Sequence, residues 1–225
     1  MPRPLGRAFE HGSGSTELDQ ILPKSERVSR EIDLETAGQP IDLVAEFGND
    51  GPVELEIGIG KGYFLQYAAA AAPEHNFIGI EIRRKYLNVA RLRTEKRPIP
   101  NVRFVCGEAF SFMENHLKPE SLHAVHLYFP DPWPKKRHHK RRLFSPEFIQ
   151  LVFDRLVPGG LLLIATDHMG YWEHICEVLA AQTLLTRCEA LPQPPQGADG
   201  LTNYEKKYLL EGRDINRIGY RKPTP

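Results

Sequence analysis

Cysteine is scarce in this sequence: Cys106, Cys176 and Cys188 are the only three in 225 residues, and none has a CxxC spacing. That excludes a disulfide framework and thiolate metal sites of the usual spacing, so the three read as reduced, mostly buried small residues and no metal is expected. Long apolar runs are missing too. Nothing approaches the roughly 20 residues that a membrane span needs, and no basic stretch followed by an apolar run marks a secretory signal. The cytoplasm is therefore the expected location, with no membrane partner. Repeats, heptads and low-complexity blocks are absent. A hydrophobic fraction of 41% suits one domain of two or three layers with a short appendage.

Net charge is also lacking, because 29 Lys and Arg offset 29 Asp and Glu. The balance conceals an uneven distribution. Residues 83–97 hold seven Lys or Arg and one Glu, and residues 135–142 hold six Lys or Arg, two His and no acid. Attraction for phosphate acts over a Debye length of about 10 Å, so such patches matter more than the sum.

Residues 1–50 are polar and irregular, with a short helix expected over 41–47, and read as an N-terminal extension packed on the outside of a domain spanning 51–225. From Val53 strands and helices alternate. Strands are expected at 53–57, 77–82, 102–106, 124–129 and 161–166. Helices are expected at 63–72, 84–96, 146–156 and 171–182, the third with Ser145 as N-cap and Pro146 in its first turn. Residues 184–188 and 207–210 are candidates for two more strands. This alternation is the pattern of a mostly parallel, seven-stranded α/β sheet with helices on both faces. Ligands of such sheets bind beyond the C-terminal ends of the strands.

Several candidate site residues fall at those ends. Gly58 and Gly60, in Gly58-Ile59-Gly60-Lys61-Gly62, allow a tight turn and close approach of a ligand, but the run departs from the dinucleotide GxGxxG spacing. Glu56 would repel a pyrophosphate and favour a cation. Glu81 offers two acceptor oxygens to a ribose diol, and Glu108 an acceptor for an adenine amine. Three acids around a glycine loop describe an adenosine-bearing cofactor with positive charge and no phosphate. S-adenosylmethionine fits, and NAD fits less well. Asp131 sits in Phe129-Pro130-Asp131-Pro132-Trp133-Pro134, where three prolines stiffen the chain. Asp167 follows the fifth strand. The basic run that begins at Lys135 adjoins this edge and suits nucleic-acid phosphates.

FPDPWPKKRHHKRR (129–142), supported by LEIGIGKG, IGIEIRRK, LLLIATDH and LTNYE, resembles the bacterial tRNA (guanine-N7)-methyltransferases over about residues 50–220. The resemblance implies a Rossmann-like class I methyltransferase fold and S-adenosylmethionine-dependent methylation of a guanine in the variable loop of tRNA, at tRNA position 46. It implies Glu56, Glu81 and Glu108 as cofactor-binding acids, Asp131 as the central active-site residue with cofactor contacts, and Lys135 and Asp167 as substrate-binding. Thr202, Asn203, Tyr204 and Glu205 match a substrate motif usually written TKFE, with Asn203 where lysine is usual. Methylation of another RNA base, and RNA binding without catalysis, are the alternative readings. Monomer and homodimer are both left open.

Overall fold

The computed structural model describes residues 30–97, 99–191, 208 and 210–225. In chain order its elements are β1 (Glu31–Ile32), α1 (Leu43–Phe47), β2 (Val53–Ile57), α2 (Tyr63–Ala71), β3 (Asn76–Glu81), α3 (Arg84–Glu95), β4 (Val102–Cys106), α4 (Ala109–His116), β5 (Leu122–Tyr128), α5 (Pro146–Arg155), β6 (Leu156–Thr166), α6 (Met169–Ala181), β7 (Thr186–Arg187) and β8 (Asn216–Arg221). A 3-10 helix, Lys136–Arg141, lies between β5 and α5. The strands form one sheet in the order β1-β4-β3-β2-β5-β6-β8-β7. All pairs from β1 to β6 are parallel, and β8 is antiparallel to both β6 and β7.

The five expected strands are present, and β2 and β4 have the expected limits. The sheet is mostly parallel with helices on both faces. Leu65 and Ala69 of α2 and Leu87 and Ala90 of α3 pack with Phe77 and Phe104 on one face. Phe112 of α4, Phe148 and Val152 of α5, and Ile175 of α6 pack with Leu55, Ile78, Val125 and Leu162 on the other. Each of the Leu, Ile, Val and Phe side chains contributes about 1.5–3 kcal/mol by leaving water, and each alanine less. Helix α5 starts as expected, with Ser145 accepting from the Phe148 amide at 3.2 Å.

Three differences have identifiable causes. Of the strand expected over 207–210 only Tyr208 and Leu210 are described, and both are helical; the last strand among the described residues is β8. Only Ile218 and Gly219 of β8 are buried, so apolar alternation could not mark it. Six consecutive main-chain partners along β6, from Leu161↔Arg221 to Thr166↔Asn216, hold it instead. Residues 30–50, the described part of the expected extension, are not merely an outer covering, because β1 pairs with β4 and Ile32 and Ile41 join the core. This edge pairing makes an eighth strand. Finally, Pro158-Gly159-Gly160 is an irregularity inside β6 rather than a turn before it: Leu122 pairs with Leu156, but Ala124 with Leu161.

Beneath α2 the sheet carries a partly buried polar chain. Glu54 of β2 accepts from Nε2 of His126 and contacts Nδ1 of His75, each at 2.6 Å. His126 Nδ1 lies 2.9 Å from the Tyr128 hydroxyl, and Phe64 packs against both rings. Burial pushes the Glu54 carboxyl up. Hydrogen bonds and charge from His126 and His75 outweigh it and hold the group below the ordinary carboxylate range. Glu54→Gln should therefore lower the unfolding free energy by about 2 kcal/mol at neutral pH. A depressed folded pKa makes the contribution fully present above the unfolded value of about 4.3, and lost as pH falls through the folded one. Urea unfolding curves of the two proteins should converge in acid; a gap that persists there would show that Glu54 acts by shape alone.

Candidate active site

Strand β2 lies between β3, which follows it in the chain, and β5, which does not. The crevice between β2 and β5 is therefore the topological switch point, where ligands of open α/β sheets bind. Two loops flank it: residues 58–62 after β2 and residues 129–134 after β5. Since β2 to β6 are all parallel, Glu108, Glu81, Glu56, Asp131 and Asp167 follow one another along one edge, at about 5 Å per strand. The register sets Ile57 beside Leu127, which brings Asp131 within a few residues of the glycine loop.

The loop after β5 is held from several sides. Phe129 donates its amide to Ala165 of β6 at 2.7 Å. Phe129 and Trp133 both adopt left-handed backbone, at φ 51° and 44°, a conformation that bulky residues keep only where the surroundings impose it. Those surroundings are visible. Arg142 Nε donates to the Pro132 carbonyl at 3.0 Å, the Arg141 guanidinium lies 4.9 Å from the Trp133 ring centre, and His138 meets the same ring edge-on. Trp133 is thus clasped by the basic segment that follows it. Asp131, between the two strained positions, is exposed and forms no hydrogen bond among the described residues. Arg142 also covers the ring of Tyr171 in α6, whose hydroxyl accepts from the Phe144 amide and whose pKa is raised by burial.

Lys135 precedes the 3-10 helix and is exposed, as are Lys136, Arg137, Lys140 and Arg141. None of these five forms an ion pair with a described residue. Helix α3, whose charge also suggested a nucleic-acid surface, behaves differently. Arg84 and Arg91 both pair with Glu31 of β1, and Arg93 lies over the Tyr63 ring and donates to the Lys61 carbonyl. Much of its charge is committed to holding the sheet edge.

Asp167 follows β6 and does not cap α6, since His168 Nδ1 accepts from the Tyr171 amide at 3.1 Å. Its Oδ2 accepts from Arg213 Nη1 at 3.1 Å. Arg213, like the exposed Ile82 beside Glu81, is a site-edge residue that sequence reasoning missed. Nothing in the spacing of 208–215 announces an ion pair 46 residues away. Thr202, Asn203, Tyr204 and Glu205 lie outside the described residues.

The glycine loop is tied to β3. Gly58 and Ile59 donate to the Ile80 carbonyl, and Gly60 donates to Glu81 Oε2 at 2.9 Å. Gly58 and Gly60 have φ of 76° and 52°, and a Cβ on either would meet no protein atom within 4 Å; left-handed backbone requires glycine here and the space above it is open. The other Glu81 oxygen accepts from the Arg83 amide at 2.9 Å. Two backbone donors therefore aim this carboxylate, and each oxygen keeps a lone pair. Glu108 is engaged as the N-cap of α4, accepting from the Phe110 and Ser111 amides at 3.0 and 2.7 Å. Glu56 is 95% buried between Gly79 and His126 of the adjoining strands. Glu81→Ala should speed amide exchange at Gly60 and Arg83 about tenfold, the equivalent of one hydrogen bond each, and leave β2 amides unchanged. Unaltered exchange at Gly60 would mean that other contacts hold the loop.

Comparison with known proteins fits this geometry. A family model described as "Putative methyltransferase" matches residues 50–218. A tRNA (guanine-N(7)-)-methyltransferase of Alkalilimnicola ehrlichii is 42% identical over 187 residues, covering 83% of this chain and 79% of that protein. The enzyme of the same name from Bordetella pertussis is 40% identical over 216 residues, covering 96% and 85%. Among solved structures, the 16S rRNA methyltransferase KamB superposes with a TM-score of 0.58 at 16% identity over 84% of this chain and 96% of its own. An rRNA methylase from Streptococcus thermophilus does so at 0.53 and 16% identity, over 83% and 98%. The fold is that of a methyltransferase, and the chain belongs to the tRNA (guanine-N(7)-)-methyltransferase family.

Proposed function

We propose that this protein transfers the methyl group of S-adenosylmethionine to N7 of a guanine in the variable loop of tRNA. The observation that carries this reading is the adjacency along one sheet edge: a row of carboxylates at the switch point, followed four residues after Asp131 by a segment of cations without ion-pair partners among the described residues. The residues fit the cofactor. Open space lies above the Gly58–Gly60 turn, the acids favour a cation over a pyrophosphate, and Glu81 is aimed by two backbone amides with acceptor capacity left for a ribose diol. Exposed Ile82 offers an apolar surface next to it. The proposed cofactor contacts are Glu56, Gly58, Gly60, Glu81, Glu108 and Asp131. Glu108 holds its helix cap with one lone pair on each oxygen and uses the second for an amine.

Bound there, S-adenosylmethionine supplies an electrophilic methyl on a sulfonium sulfur. Guanine N7 has a lone pair and no proton, so no general base is needed. The work left to the protein is alignment and exclusion of water, an effective-molarity contribution. The exposed carboxylate of Asp131 would stabilise positive charge on the bound cofactor and on the methylated guanine alike. Asp167 accepts from guanine N1–H and the N2 amine, a donor pair that adenine does not present. Lys135 and the 3-10 helix take the RNA phosphates. Thr202, Asn203, Tyr204 and Glu205 complete the proposed substrate contacts.

Incubation with unmodified tRNA and labelled cofactor, followed by nucleoside analysis, should yield 7-methylguanosine; label in another nucleoside, or none, would overturn the reading. Asp131→Ala should slow single-turnover transfer about a hundredfold at saturating cofactor, with cofactor affinity measured separately, and a rate within twofold of wild type would remove Asp131 from the mechanism. Lys135→Ala should weaken tRNA binding and reduce the slope of log affinity against log salt by about one. An unchanged slope in a salt titration would place the phosphate contact elsewhere.

A further inference from the structure

Arg213 has no role in the scheme above, yet its side chain is built into the site. The chain reaches it through a helical turn that ends at Gly212, whose φ is 66°. The Arg213 amide donates back to the Tyr208 carbonyl at 2.9 Å. A left-handed glycine followed by a residue whose N–H closes a six-residue ring is the Schellman ending of a helix, and it turns the next side chain back over the last turn. The Arg213 guanidinium accordingly lies 4.8 Å from the Tyr208 ring centre. Its fork then makes two ion pairs, Nε to Glu211 at 2.8 Å and Nη1 to Asp167 at 3.1 Å. Tyr208 packs in turn on Phe129, with ring centres 5.5 Å apart, and Phe129 is two residues before Asp131. The turn after the 202–205 motif is thus joined to both strand ends that carry the proposed acceptor-site aspartates.

We propose that Arg213 is a positioning residue for the methyl-accepting base: by holding Oδ2 of Asp167 it fixes the plane of that carboxylate against the N1–H and N2 amine of guanine. This rests on the tRNA-guanine reading above. The physical reason is geometric. An aspartate on a strand end can rotate about χ1 and χ2, and only 16% of this side chain is exposed, so water does little to orient it. A planar guanidinium held at three points, by Tyr208, Glu211 and Asp167, removes that freedom before the base arrives. Oδ1 and the second lone pair of Oδ2 are then presented in one plane, as a base edge requires. Misplacing such a group by about 1 Å costs on the order of a hundredfold in rate.

The test combines a double-mutant cycle with base discrimination. Single-turnover methyl transfer is measured for wild type, Arg213→Ala, Asp167→Asn and the double variant, on tRNA carrying guanosine or inosine at the target; inosine lacks the N2 amine. Arg213→Ala should lower transfer to guanosine by about tenfold or more and narrow the guanosine-over-inosine preference to within threefold, with cofactor affinity and thermal midpoint kept. In the Asp167→Asn background the same change should cost less than twofold. Arg213→Lys, which keeps the charge but not the planar fork, should fold like wild type yet still lose at least fivefold in transfer to guanosine and narrow the base preference; this variant decides the matter should the alanine form fold poorly, and a rate within twofold of wild type would overturn the inference. Equal losses in both backgrounds, or an unchanged base preference, would overturn the inference while wild-type transfer stands. Absence of any wild-type transfer to tRNA guanine would overturn it together with the functional reading.

Discussion

The constraint on which the site depends is main-chain hydrogen bonding between parallel strands. Because β2 pairs in register with β3 on one side and β5 on the other, the C-termini of five successive strands must open on the same edge. Each loop that leaves them starts within about 5 Å of its neighbour. Acids as far apart in the chain as Glu56 and Asp131 therefore become neighbours without any direct contact between them. Helices on both faces bury the sheet and keep this edge as the accessible one.

Charge is then sorted by pairing. Glu31 holds Arg84 and Arg91, and Glu46 holds Arg103, so acid–base pairs close the margin where the N-terminal segment joins the sheet. In the segment after β5, residues 135–142 contain no acid, and several of their cations stay exposed. Surface ion pairs contribute little to stability, typically up to about 1 kcal/mol. Their larger effect here is to decide which positive charges remain available to an anionic partner.

Stiffness of the same segment has two sources. Proline limits the backbone at 130, 132 and 134. Arg142, Arg141 and His138 fold back on Pro132 and Trp133, so the basic residues also hold the loop that carries Asp131. A cation that packs on an aromatic ring loses little of its field, because the ring screens less than water does. One stretch of chain in this way shapes the proposed methyl-transfer edge and presents charge beside it.

Much of this was legible in the residues themselves. Alternating apolar strands and amphipathic helices set the α/β class, Gly58 and Gly60 marked the turn that needs left-handed backbone, and Ser145 with Pro146 marked a helix start, since each depends on local sterics and local hydrogen bonds. The order of the strands was decided only by folding. So were the pairing of β1 with β4, the seating of β8 against β6 and the meeting of Arg213 with Asp167. Those contacts join residues 46 to 73 positions apart, and no local propensity records them. The sequence determined which chemical groups stand at the ends of its strands; tertiary packing determined which of them meet, because a hydrogen bond or an ion pair depends on distance in space and orientation, not on separation along the chain.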